Sequence, residues 1–202
     1  FEELNNEQEQ RDLLPEIKNS TLGEMLRIYQ SPRVIGNKFL NDHQRYEFFL
    51  RAITSPYTAR DIERFSRFLR DHEGTHIDAG IYLSALVNSW QEEEITLHTS
   101  GLRLAPHKLG YENNGKYITI KGNVEDTLGM NMRDGIITVD GDAEDYVGYY
   151  MYDGKIVING NVRRYVGSGM RNGETLVNGN AGVNHGENSM GGGITIIGNS
   201  GP

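Results

Sequence analysis

The chain has 202 residues, with 20 basic against 28 acidic side chains and a formal net charge of −8. This balance lacks the basic surface that nucleic-acid binding needs, and the absence of cysteine excludes disulfides, thiolate metal sites and iron–sulfur clusters. No apolar run approaches the ~20 residues of a membrane span, and the acidic start has no signal-peptide character. The sequence therefore predicts a cytoplasmic protein with neither a nucleic-acid nor a membrane partner.

Glycine divides the chain into two unlike halves, with 4 glycines in residues 1–100 and 21 in residues 101–202. The predicted order is a polar tail over 1–13, a helical region over 14–92 and a β-structure over 95–202. Four short helices are expected: one from Thr21 to about Tyr29, one over about 41–54, one carrying Ile62, Phe65 and Leu69 on its buried face, and one over about 77–90.

One motif in the helical region is typical of a metalloenzyme. His72-Glu73-Gly74-Thr75-His76 matches H-E-x-x-H, in which two histidines four apart on a helix bind zinc while the glutamate acts as general base. A short motif arises readily by chance in a chain rich in glutamate, and Gly74 weakens a helix here. A helix end or interhelical turn is the simpler interpretation. The sequence thus predicts no metal site, with His72, Glu73 and His76 as the candidate ligands and base of the alternative.

The second half repeats with a period of 19 residues. A short repeat of this kind is one supersecondary unit that must stack on copies of itself. Three glycines per repeat exclude an α-helix, where each costs about 1 kcal/mol relative to alanine. The turn glycines fall in three columns: Gly122, Gly141, Gly160, Gly179 and Gly198; Gly129, Gly148, Gly167 and Gly186; and Gly135, Gly154, Gly173 and Gly192.

Each repeat predicts a strand followed by a sharp turn. Apolar residues two apart, such as Ile137 and Val139, place two side chains inward per coil. In the turn that follows, Asp140-Gly141-Asp142 and its equivalents are residues that tolerate φ > 0. Further inward columns are Val124, Ala143, Val162 and Ala181; Leu128, Val147 and Val166, with His185 in the last coil; and Met132, Met151 and Met170. The predicted fold is mainly β: a single-stranded right-handed β-helix of about five 19-residue coils, preceded by a small α-helical cap.

The pattern from Gly141 to Gly154, with relatives at 122–135, 160–173 and 179–193, resembles the GXGXG repeat domain. That domain is found at the C-terminal end of the large subunit of glutamate synthase and in the C subunit of formylmethanofuran dehydrogenase. The resemblance covers roughly residues 95–202. It implies a right-handed β-helix with an architectural role in oxidoreductases, holding domains or subunits together while the chemistry lies elsewhere. The catalytic cysteine, cluster cysteines and FMN barrel of glutamate synthase are absent, so the resemblance does not extend to activity.

The helical region is too small to bury a stable core of its own. The two ends of a β-helix expose unpaired backbone groups, and natural solenoids cover them. The four helices are therefore expected to cap the first coil, with the acidic run from Gln91 to Glu94 as the hinge. The opposite end, at Pro202, shows no cap in the sequence. A homo-oligomer or a protein partner is expected to cover it.

Three surface patterns are interpreted as structure in preference to chemistry. Asn and Asp recur at the turns, which favours stacked amide hydrogen bonds over calcium binding. Asp126 and Asp145 put carboxylates on adjacent coils, as in polysaccharide-cleaving β-helices, but Arg163 and Arg164 follow in the next coil and favour charge pairing. His185 is interpreted as a buried or end-capping histidine.

Tyrosines cluster in neighbouring coils, which slightly favours ordinary cross-strand packing, with a candidate partner surface as the alternative. They are Tyr146, Tyr149, Tyr150, Tyr152 and Tyr165, and are called the tyrosine cluster below. The predicted function is a non-catalytic structural or assembly module with no cofactor, associated with a redox enzyme complex or self-assembled. The competing class is a metal-dependent hydrolase that uses His72 and His76.

Overall fold

A computed structural model describes residues 21–31, 33, 37, 39–68, 76–100 and 106–201. The helices are α1 (Thr21–Tyr29), α2 (Asp42–Ala52), α3 (Ala59–Phe68) and α4 (His76–Ser89). The strands are β1 (Glu94–His98), β2 (Asn114–Lys121), β3 (Asp134–Val139), β4 (Lys155–Ile158), β5 (Val162–Arg164), β6 (Glu174–Val177), β7 (Ala181–Val183) and β8 (Gly193–Ile196). In this described part of the chain no helix is long and apolar enough to cross a membrane.

The strands form a parallel solenoid. Six of them pair in the order β1-β2-β3-β4-β6-β8, and β5 pairs with β7 in a second, shorter ladder. Strands one repeat apart lie in register, so that Ile137 pairs with Ile156 and Thr175 with Ile194. This arrangement confirms the predicted mainly β fold of about five coils behind a small helical part. The coils are numbered here from the turn glycines, so that 122–140 is the second coil and 179–197 the fifth.

Apolar side chains fill the interior of the solenoid, as the inward columns predict. Burial of a Val, Ile or Met side chain stabilises the fold by about 1.5–3 kcal/mol, and each coil supplies several. The strand columns contribute Ile118, Ile120, Ile137, Val139, Ile156, Ile158 and Val177, and the other columns contribute Val124, Leu128, Met132, Val147, Met151, Val166 and Met170, all buried. Thr175 is a polar exception in this core.

Glycine is required in the first turn column for a different reason from the predicted one. Gly141, Gly160, Gly179 and Gly198 do not have positive φ angles. A Cβ at Gly160 would instead lie 2.5 Å from the carbonyl oxygen of Gly141. The backbones of successive coils approach closely at this corner, and the Gly160 amide donates to that same carbonyl at 3.0 Å. Close stacking, not a left-handed turn, therefore excludes larger residues here.

The helices cap the first coil, as predicted. The Ser66 hydroxyl of α3 accepts a hydrogen bond from the His98 amide of β1 at 3.2 Å. From α4, the Asn88 side-chain amide donates to the carbonyls of Tyr111 and Glu112, both at 3.2 Å. These bonds satisfy backbone groups that the end of a solenoid would otherwise leave unpaired. Helices α1 to α4 are called the helical cap below.

Side chains at the helix starts agree with the sequence pattern. Thr58 and Asp61 form a reciprocal cap of α3, with the Asp61 amide donating to the Thr58 hydroxyl and the Thr58 amide donating to the Asp61 carboxylate. Asn41 and Gln44 form a second capping box, at the start of α2. Such caps satisfy amides that the first helical turn leaves without an intrahelical partner.

The fifth coil ends the solenoid differently. Among the described residues, β8 has a neighbouring strand on one side only. Ile194 and Ile196 are half-buried, whereas Ile197 and Met190 are exposed. The described chain therefore has one end of the solenoid covered by helices and one end open.

Candidate functional site

The H-E-x-x-H motif lies largely outside the described residues. His72 and Glu73 fall in the undescribed segment 69–75, and His76 is the first residue of α4. The metal-binding alternative therefore stays a prediction. In the ranges that the structure does describe, no group of three or more histidines and carboxylates is placed to hold a metal ion.

The paired carboxylates of the solenoid wall are engaged with arginines. Arg164 Nη2 lies 2.6 Å from the Asp145 carboxylate, whose side chain is only 9% exposed. That carboxylate raises the pKa of Arg164 through its hydrogen bond and its charge. Arg163 lies 3.5 Å from Glu144 in the same direction along the solenoid. This geometry agrees with charge pairing between coils and leaves Asp145 poorly placed for acid–base work.

The Asn/Asp ladder is structural. The backbone amide of Asp142 donates to the Asn123 side-chain oxygen at 2.9 Å, and Asn161, Asn180 and Asn199 repeat that bond on the coil before each. In the neighbouring column Asn159 donates to Asp140 at 2.8 Å. Hydrogen bonds from Lys121 and Asn159 lower the pKa of Asp140. The side-chain oxygens are therefore occupied by amides, as the stacked-amide interpretation predicts.

His185 replaces the aliphatic residue of its inward column in the fifth coil. One ring nitrogen, Nε2, lies 3.1 Å from the carbonyl oxygen of Gly182. The other, Nδ1, is buried and has no hydrogen-bond partner among the described residues. The contact with its own coil is that of an end-capping side chain.

A groove that sequence reasoning missed lies between α3 and the outer face of β1, β2 and β3. It has a volume of about 480 Å³, and Glu63, Glu94, Tyr117 and Thr119 lie among its lining residues. The groove exists because α3 covers only the edge of the sheet, a placement that helix patterning alone does not reveal. Glu63 and Glu94 are the carboxylates of this lining, and the described residues place no third metal ligand with them.

The tyrosine cluster forms one continuous surface on the third and fourth coils. Tyr146 and Tyr165 stack with ring centroids 4.6 Å apart and planes 5° from parallel, and Tyr149 contacts both Tyr146 and Tyr150. A hydrogen bond with Tyr150 raises the pKa of Tyr149. Tyr150 is 44% exposed and Tyr152 38% exposed. The cluster is thus ordered by internal stacking while it remains open to solvent.

Tyr152 lies between two arginines along the solenoid axis. The guanidinium of Arg133, one coil before, is 5.5 Å from the ring centroid, and that of Arg171, one coil after, is 4.7 Å away. Cation–π contacts of this kind hold both guanidiniums in place at about 0.5–1 kcal/mol each on an exposed surface. Arginine thereby joins tyrosine at the edge of the cluster.

Three of these tyrosines have left-handed backbone conformations. The φ angles are 63° at Tyr146, 52° at Tyr150 and 59° at Tyr165. They occupy two columns, called the corner columns below, in which every described residue has positive φ: Lys108, Thr127, Tyr146, Tyr165 and Asn184 in the first, and Glu112, Asn131, Tyr150, Gly169 and Asn188 in the second. Asparagine and glycine suit that conformation best. The asparagines of these columns are the sequence signal for positive φ, but the tyrosines at the equivalent positions interrupt that signal.

The corner columns of the first coil carry the helical cap. Lys108 Nζ lies 2.8 Å from the Asp42 carboxylate of α2, and Glu112 Oε1 lies 3.0 Å from His43 Nδ1 of the same helix. Residues that bear left-handed strain in this coil therefore hold a packed partner. In the third and fourth coils the tyrosines occupy the same columns, farther along the same edge of the solenoid.

Comparison with known proteins adds no identity. No protein family matches this chain, and neither a curated protein nor a solved structure matches it.

Proposed function

We propose that this chain is a structural assembly module of the cytoplasm, and that the tyrosine cluster is the surface through which it binds a protein partner. The observation that carries the proposal is the coincidence of three exposed or half-exposed tyrosines with left-handed backbone. In the first coil, side chains in those columns hold the helical cap. By analogy, the tyrosines in the same columns of the third and fourth coils would contact a protein partner.

The energies favour docking over internal packing as the reason for these tyrosines. A left-handed conformation costs a residue other than Gly or Asn about 1–2 kcal/mol. A stacked aromatic pair returns about 0.5–1.5 kcal/mol. Two strained tyrosines, Tyr146 and Tyr165, therefore cost more than their mutual stacking alone returns. The edge contact of Tyr146 with Tyr149 and the Arg164 guanidinium 5.8 Å from the Tyr165 ring reduce this difference. Backbone strain of this kind recurs at functional sites of proteins.

The residue types also fit a protein partner. Tyrosine and arginine are the side chains enriched at the energetic centres of protein interfaces. Tyrosine buries a large area with only two rotatable side-chain bonds, and here Tyr146 and Tyr165 are already stacked on each other. Arginine is more flexible, but Arg133 and Arg171 are held on the Tyr152 ring. The acidic or polar grooves elsewhere on the described surface lack that combination.

The resemblance to the GXGXG domain suggests which partner to test. We also propose that the chain is a stand-alone β-helix of that type. Its partner would be a subunit of a redox enzyme complex or another copy of itself. In this role the solenoid supplies shape and the partner supplies any chemistry. The hydrolase alternative rests on His72, Glu73 and His76, and the described residues offer no further support for it.

A photo-crosslinking amino acid placed at Tyr150 tests the assembly role in cells. We expect a discrete adduct of defined mass, whose composition mass spectrometry then identifies. Tyr117 is the matched control, because it is also a tyrosine with 44% exposure but lies on the groove side of the solenoid. Equal labelling from both positions, or none from Tyr150, would contradict the proposal.

A further inference from the structure

We propose that the partner at this surface is a second copy of the chain, bound about a two-fold axis that passes between Arg171 and Asp153. This inference rests on the proposed assembly function and specifies its partner. It is carried by two exposed, oppositely charged side chains for which the described residues offer no charged partner.

Arg171 is the basic half of this pair. Its guanidinium stacks on Tyr152 at 4.7 Å, and no carboxylate of the described residues lies within ion-pair distance. The side chain is exposed. By contrast, Arg163 and Arg164 in the same coil both pair with carboxylates of the coil before. Arg171 therefore presents an exposed guanidinium that is held on the Tyr152 ring and has no carboxylate partner among the described residues.

Asp153 is the acidic half. Its carboxylate accepts hydrogen bonds from the Gly154 amide at 2.8 Å and from the Asn172 side-chain amide at 3.3 Å. Both donors are neutral, and no cation of the described residues lies within ion-pair distance. These two bonds fix the carboxylate at the surface, where it is exposed. Its charge remains available to a partner.

The repeat places these charges diagonally. Tyr152 and Asp153 are neighbours in the third coil, and Arg171 and Asn172 are their equivalents one coil later. A two-fold axis that lies in the contact plane, along the diagonal from Tyr152 to Asn172, exchanges the positions of Arg171 and Asp153. Each guanidinium of one copy then faces a carboxylate of the other, which gives two identical ion pairs. The same operation places Tyr152 opposite Tyr152 of the partner and Asn172 opposite Asn172 of the partner.

Closed symmetry favours this occupant over an unrelated acidic protein. An isologous contact uses one surface twice, so a single self-complementary patch suffices. The chain carries a net charge of −8, so two copies repel each other at long range. Association therefore needs local pairs of opposite charge at the contact, and the surface around Tyr152 supplies them.

Light scattering on the purified full chain tests the inference. We expect a mass of twice the 22.7 kDa chain. Arg171→Asp alone and Asp153→Arg alone should each raise the dimer dissociation constant by about 100-fold or more, because each places like charges together twice. An equimolar mixture of the two variants should regain the dimer, since both contacts between unlike chains are then attractive. Arg51→Asp on α2, where the arginine side chain is 82% exposed, is the control for the change in net charge.

The outcomes separate this inference from the proposed function. A monomeric wild-type chain that still gives a Tyr150 adduct with another protein overturns the two-fold contact and leaves the assembly role intact. A dimer that survives both charge changes, or a mixture that stays monomeric, places the contact elsewhere and also overturns the inference. A monomer without any Tyr150 adduct overturns both. Circular dichroism of each variant confirms that a lost dimer is not a lost fold.

Discussion

Thr175 is a polar residue in a column of buried isoleucines. At the equivalent positions stand Ile137, Ile156 and Ile194. The δ-carbon of each lies 2.4–2.6 Å from the point where a Cβ would stand on a nearby turn glycine. At Thr175 that δ-carbon is missing, and the corresponding glycine, Gly148, has its nearest neighbour at 3.4 Å. The hydroxyl of Thr175 is buried without a hydrogen-bond partner among the described residues. The position therefore combines an unfilled space with an unsatisfied polar atom.

We predict that Thr175→Ile raises the free energy of unfolding by about 1–2 kcal/mol. The change removes a buried hydroxyl and restores the missing contact above Gly148. Chemical denaturation measures the effect, and Thr175→Val is the matched variant that removes the hydroxyl without supplying the δ-carbon. Valine should give a smaller gain than isoleucine. A loss of stability with isoleucine would mean that the coil packs tightly around threonine and has no space for the added δ-carbon.

We also predict that Tyr150→Asn changes the unfolding free energy of the isolated chain by less than about 1 kcal/mol. Asparagine occupies the same column with φ of 56° at Asn131 and 54° at Asn188, so relief of strain offsets the lost ring contacts. Thermal unfolding at a concentration where the chain is monomeric measures it. A fall of more than about 2 kcal/mol would show that Tyr150 serves the coil itself, for instance by covering Gly169, and would weaken the proposed docking role.

At the scale of elements, the junction between α4 and the first coil depends on a close approach. A Cβ at Gly80 would lie 1.7 Å from the carbonyl oxygen of His107. On the same helix, the Ser84 hydroxyl accepts a hydrogen bond from the Tyr111 amide at 3.0 Å. The helix can reach this backbone only because glycine leaves room. The junction is therefore sensitive to a single methyl group.

We predict that Gly80→Ala displaces α4 from the first coil and lowers the unfolding free energy by about 2 kcal/mol or more, although alanine has the higher helix propensity. Hydrogen exchange should show loss of protection in β1 and around Tyr111 first. Gly193→Ala is the control, because nothing lies within 4 Å of its Cβ position and its φ is not in the left-handed region. An unchanged stability for Gly80→Ala would contradict the observed packing.

At the scale of the whole molecule, buried tyrosines link the helical cap to pH. Burial raises the pKa of Tyr46 to about 12 and that of Tyr57 to about 12, and raises the pKa values of Tyr82 and Tyr111 further. The hydroxyl of Tyr57 donates to the Leu86 carbonyl at 2.7 Å. In an unfolded chain these phenols ionise near pH 10. Above that pH the unfolded state releases protons that the folded state keeps.

The raised pKa values of these tyrosines make the folding stability depend on pH. A raised pKa in the folded state gives stability that is complete below pH 10 and is lost as pH rises toward 12. We therefore predict that the free energy of unfolding falls steeply across that interval. Denaturation curves at successive pH values measure it, and Tyr57→Phe should reduce the slope because one titrating group is removed. A stability that is flat from pH 10 to 12 would mean that the phenols are accessible in the folded chain.

The candidate site was only partly visible in the sequence. The tyrosines could be grouped because four of them lie within residues 146–152 and Tyr165 lies one repeat after Tyr146. The stacking of Tyr146 on Tyr165 follows from that repeat spacing. Their backbone strain could not be read, since Tyr146 and Tyr150 give no local signal of positive φ. The sandwich of Tyr152 between Arg133 and Arg171 depends on rotamers that only the neighbouring coils select.

The sequence by itself determined the solenoid. A period carried by three glycine columns and by paired apolar residues permits one way of stacking, because a coil slipped by one residue would expose its core. The four helices were also predicted from their capping and periodic residues. Only the tertiary structure decided why Gly160 must be glycine, through which hydrogen bonds α3 and α4 hold the first coil, and which charges on the described surface remain unpaired. Each of those depends on distances between residues far apart in the chain, and local pattern carries no information about them.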